Sequence, residues 1–121
     1  MNKLLAVVCL VSVVSMSAMV FADEKGKKET VTGEVVDLAC YIGHGAKGDK
    51  HAKCAEHCIT AGMPVGVLTD DGKLFLLVGE KHKALNKEMA AYAAKKITVT
   101  GEVGTQNGVS LMTVEKFEAA K

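Results

Sequence analysis

Residues 97–117 read ITVTGEVGTQNGVSLMTVEKF, and their alternation decides the fold. Ile97, Val99 and Val103 alternate with Thr98, Thr100 and Glu102, the period-two pattern of a half-buried strand. Residues 104–108 carry the turn signal Asn107-Gly108, and a second strand follows from Val109 to about Phe117. The hexapeptide TVTGEV at 98–103 stands also at 30–35. Residues flanking the two copies do not repeat. The copies therefore read as two strands of one curved sheet rather than as a duplicated unit, since Val and Thr suit strands and an interior glycine lets a strand bend.

Outward from these strands, residues 30–38 form a β-branched run ending near Cys40, and residues 41–50 (YIGHGAKGDK), with three glycines, read as a loop. Asp49 is a candidate N-cap for a helix over about 50–61, with Gly62 as its stop. Pro64 opens a strand over 65–69, Asp70-Asp71-Gly72 turns the chain, and residues 73–78 return. Leu85, Met89 and Tyr92 recur at helical spacing among alanines, which predicts a second helix. The order strand, helix, hairpin, helix, hairpin predicts a mainly β, α+β domain: a small five-stranded barrel with two helices. The paired strands around TVTGEV and the closing VSLMTVEKF make the pattern resemble an OB-like barrel. That resemblance implies a fold and no activity, because one fold hosts many.

The expected domain spans residues 30–118, with a Cys/His insertion at 40–58 and a polar, flexible lead-in at 23–29. Before it, Lys3, the apolar run from Leu4 to Val14 and the closing Val20-Phe21-Ala22 form a secretory signal peptide at 1–22, too short to be a stable anchor. Cys9 lies within the apolar run instead of closing it, which disfavours lipid attachment. Cleavage after Ala22 would deliver the remainder to the periplasm or the medium, with no membrane anchor.

With Lys3 set aside, lysines and carboxylates balance in number, and arginine is absent. A nucleic-acid surface calls for basic excess and bidentate arginine contacts, so nucleic acid is not an expected partner. No Ser/His/Asp arrangement, phosphate loop or paired-carboxylate site is evident, and no catalytic residue is expected.

The chemistry is concentrated between Cys40 and Cys58, in CYIGHGAKGDKHAKCAEHC, which holds three cysteines and the histidines His44, His51 and His57. On the expected helix His51, Cys54 and Cys58 stand at i, i+3 and i+7, within a sector of about 60°. Cys40 arrives from the first strand and His44 from the loop. Three thiols and an imidazole make a Cys₃His set suited to a tetrahedral metal, with His44 or His57 as alternative donors or orienting groups. Zinc fits best, and copper(I) is the runner-up on ligand softness. Asp37 would either orient a histidine or cap a turn. His82 reads as solvated and Met63 as core filler.

Two other readings stand beside this one. A disulfide from Cys40 to Cys54 or Cys58 would staple the loop of a metal-free interaction module. A thiol–disulfide redox protein would use Cys54 near the helix N-terminus, with Cys58 or Cys40 resolving it.

The stretch also resembles known groups. Asp37/Cys40, His51/Cys54/Ala55/Cys58, Gly62/Pro64/Gly66 and Asp71/Gly72/Lys73 resemble the pattern of a group of small exported bacterial OB-like proteins of unassigned role, over most of the domain. Cys54-Ala-Glu56-His57-Cys58 with Met63 is similar to the dinuclear copper loop of cytochrome oxidase subunit II, but it lacks the intervening histidine and places the methionine too close. Together these readings lead to an exported, non-catalytic transition-metal-binding protein, whose partners are the metal and a periplasmic protein.

Overall fold

The computed structural model describes residues 26–121. The expected signal peptide and cleavage site, and Cys9, lie outside the described residues. Five strands close into a barrel in the order β1-β2-β3-β5-β4: β1 Lys27–Asp37, β2 Val65–Thr69, β3 Leu74–Gly79, β4 Lys96–Gln106 and β5 Val109–Ala119. The β3–β5 pairing is parallel and the rest are antiparallel. Three short helices are inserted: α1 Leu38–His44 and α2 Ala52–Thr60 between β1 and β2, and α3 Asn86–Ala90 between β3 and β4. This is the mainly β, OB-like barrel that the alternation predicts.

The two TVTGEV copies pair with each other. In antiparallel register about Val31 and Val99, Thr30 meets Thr100 and Thr32 meets Thr98. Their hydroxyls hydrogen-bond at 2.8 and 2.9 Å. The triplet TVT reads the same in both directions, so this register sets like residues opposite one another there, while Gly33 and Glu34 face Ile97 and Lys96. The glycine of each copy lies where another strand crosses closely. A Cβ on Gly33 would strike the Leu68 carbonyl, and one on Gly101 the Thr113 carbonyl, beside an irregularity in the β4–β5 register. Because neither carbonyl can move without breaking a ladder, Gly101→Ala is expected to cost about 1–3 kcal/mol, read as a lowered denaturation midpoint at unchanged slope.

The barrel core gathers Val35, Val67, Phe75, Leu77, Ile97, Val99, Val103, Met112 and Val114, to which α2 adds Ala55 and Ile59 and α3 adds Met89. Tyr92 meets Phe117 edge to face at 5.5 Å, a favoured aromatic geometry. Asp70 and Asp71 turn β2 into β3. The Thr69 hydroxyl donates to the Asp71 carboxylate and holds its pKa below the usual range. No helix among the described residues is long and apolar enough to cross a membrane.

Three local expectations are corrected. The first strand starts at Lys27 rather than Thr30, because residues 27–29 pair with Val103, Glu102 and Gly101 of β4. Residues 41–44, read as loop, belong to helix α1. The Asp37 Oδ1 caps it by accepting from the Ala39 N–H at 3.0 Å, and Gly45 closes it at φ 70°. The helix expected from Leu85 to Tyr92 shrinks to α3. Beyond it β1 captures the chain: the Ala94 N–H donates to the Val35 carbonyl and the Val35 N–H to the Lys95 carbonyl, both at 2.9 Å.

Candidate metal centre

The centre forms where β1 gives way to α1 and α2 crosses nearby. Asp37 ends β1 in extended backbone, and its own carboxylate starts α1, so Cys40 falls within the first turn after the barrel wall. The Leu38 N–H donates to the Pro64 carbonyl at 3.0 Å, tying this junction to the start of β2. His51 enters in a different conformation from the expected one. Asp49 does not cap a continuous helix; instead Asp49–His51 makes one 3₁₀ turn, preceded by Gly48 at φ 83°, and His51 is the residue before α2. The Glu34 carboxylate fixes the turn by accepting from the Gly48 N–H at 2.8 Å.

Helix α2 carries the remaining donors. Ala55 and Ile59, four apart, face the core, so the neighbouring pair Cys54 and Cys58, also four apart, is turned toward the opening of α1. At the far end of α2, the Met63 N–H donates to the Cys58 carbonyl at 3.0 Å. The Asn86 side-chain amide donates to the carbonyls of Ile59 and Met63 at 2.7 and 2.8 Å, pinning the end of α2 to α3. Asn86→Ala leaves two carbonyls to solvent and is expected to cost about 1–2 kcal/mol, measurable by thermal or chemical unfolding.

The structure brings the donors into two groups of three. One ligand atom each from Cys40, His51 and Cys54 lie within 4.8 Å of one another, as do one each from Asp37, Cys40 and Cys58. Tetrahedral thiolates at about 2.3 Å from a zinc ion stand about 3.8 Å apart, so modest inward movement would close either group on a metal. His44 and His57 are exposed and belong to neither group. Asp37, which the sequence left between orienting a histidine and capping a turn, is the cap: Oδ1 starts α1, and an oxygen of its carboxylate also enters the second group, which holds no histidine.

Among the described residues, two buried side-chain polar atoms have no hydrogen-bond partner: Asp37 Oδ2 and His51 Nε2. Each belongs to a residue of a different group. Buried donors and acceptors are nearly always satisfied, and an orphan calls for a partner. The thiols are free. The adjacent Asp37 carboxylate, which favours the protonated thiol, and then burial push the Cys40 pKa up to about 12. Burial and then Asp37 raise that of Cys58.

A separate apolar groove of about 660 Å³ borders α1 on another face, lined by Leu38, Ile42, Leu76 and Val109 among others, and no Cys or His lines it. No protein-family model, curated protein or solved structure matches the chain.

Proposed function

We propose that this chain is an exported protein that holds a transition metal at the cluster around Cys40, zinc by preference and copper(I) as the alternative. The observation that carries the reading is the pair of orphaned buried atoms, Asp37 Oδ2 and His51 Nε2, each belonging to a residue grouped with the Cys40 thiol. Mixed sulfur and nitrogen donors are the zinc set. Burying a carboxylate with one oxygen unpaired and no counter-charge is costly, and a bound cation offsets that cost.

In this reading the metal joins three segments, the opening of α1, the 3₁₀ turn and α2, into one rigid insertion on the barrel. The group of exported bacterial proteins whose pattern the chain resembles would share this role. The test uses the full chain, expressed in a host that exports it and recovered anaerobically. Intact mass should begin at Asp23, and elemental mass spectrometry should find stoichiometric zinc or copper, with the thiols unreactive until chelator is added. Metal-free protein with one disulfide and one free thiol would sink the proposal in favour of a stapled interaction module.

A further inference from the structure

We infer that the cluster holds two divalent ions and not one: an outer ion on Cys40, His51 and Cys54, and an inner ion on Asp37, Cys40 and Cys58, with the Cys40 thiolate bridging them. This deepens the proposed function and rests on it. The first ground is the grouping, since the donors form two sets of three around a common sulfur instead of one set of four. A single tetrahedral ion on the three cysteines and His51 would need Cys58 inside the His51 group, where it is not found.

The second ground is Asp37. It is 1% exposed, its Oδ2 is unpartnered, and the ion pairs among the described residues join Lys28, Lys73 and Lys96 to other acids. A lone outer ion would leave this carboxylate buried without a counter-charge, the costly arrangement. An inner ion supplies both the missing partner and the missing charge.

Charge agrees with this arrangement. Three thiolates and one carboxylate carry four negative charges, and the imidazole is neutral. One divalent ion leaves two of these uncompensated, while two divalent ions balance them. Each thiol proton is released to solvent on binding, and no electron moves. The carboxylate also selects the metal, because oxygen donors suit zinc better than copper(I). The two positions differ in access. Cys54 is exposed and His51 half-buried, whereas Asp37 is buried, so the outer ion exchanges with solvent more readily than the inner one.

The experiment titrates zinc(II) alone into the reduced, metal-free exported protein, counting ions per chain by native mass spectrometry. The chain should take two equivalents, and Asp37→Asn should take one. Asparagine keeps an oxygen able to cap α1 but loses the charge and the strong donor. Cys58→Ser should give the same single equivalent and serves if the Asp37 variant folds poorly. Repeating the titration with cobalt(II) should give thiolate charge-transfer absorption that grows through both equivalents in the native chain, and only through the first in the variants. One equivalent in the native chain, unchanged by Asp37→Asn and Cys58→Ser, overturns the second position while leaving the metal-binding reading intact. Two equivalents that survive both substitutions overturn the inner ligand set, and no binding at all overturns both readings.

Discussion

Cys40→Ser is expected to strip the chain of bound metal, lower its thermal midpoint by roughly 15–30 °C and abolish the effect of chelator on stability. Cys40 is the one thiol common to both donor groups, so no metal position survives its loss. A free ion at a thousand times its dissociation constant stabilises the folded state by about 4 kcal/mol. In a domain of this size each kcal/mol moves the midpoint by roughly 4–8 °C. Scanning calorimetry of the native chain with and without chelator, beside Cys40→Ser, reads the effect. The native chain plus chelator should superimpose on the variant. His44→Ala and His57→Ala should leave the midpoint and the metal content unchanged, because both side chains are exposed and stand outside the groups. A variant that still responds to chelator would show that Cys40 is not the common ligand.

Ile59→Ala is expected to cost about 2–5 kcal/mol and to weaken metal binding as well. Ile59 is 0% exposed and fixes α2 to the barrel core beside Phe75, Met89 and their neighbours. Truncation removes buried apolar surface and leaves a cavity, and the range reflects how far the site can collapse. The second effect follows from position. Ile59 adjoins Cys58, and the Ala55/Ile59 face determines which way the Cys54/Cys58 face points. Denaturant titration of the metal-free variant gives the stability term, and zinc titration gives the affinity. If stability falls while zinc affinity is untouched, the metal and not the core sets the position of α2.

These outcomes bear on different layers of the molecule, and the layers differ in how far they are legible in the chain. Local chemistry was readable where it is strong. The alternation at 97–103, the turn signals Asp70-Asp71-Gly72 and Asn107-Gly108, and the stop at Gly62 each specify backbone geometry within a few residues, and the elements form there. Helix α1 is not legible in the chain because the glycines of 41–50 outweigh a short helical run. Its signals were present, with Asp37 as cap and Gly45 as the left-handed stop, yet a helix of 7 residues gains too little from propensity to announce itself. Helix α3 failed in the opposite sense. Its alanines favour a longer helix, but β1 offers the backbone of residues 94 and 95 hydrogen bonds that helix continuation would forgo.

The sequence by itself determined the strands, the turns, the interior glycine of each TVTGEV strand and the concentration of residues able to ligate a metal between Cys40 and Cys58, because each of these follows from residues close in the chain. Only the tertiary structure decided that TVTGEV pairs with its own copy 68 positions away, that β3 and β5 run parallel, and that the donors divide into two groups sharing Cys40. It also decided that Asp37 joins the cluster while His44 and His57 do not. Spacing along a helix fixes which side chains share a face, but which face meets the end of β1 is set by burial of Ala55 and Ile59 against a barrel whose closure is nonlocal.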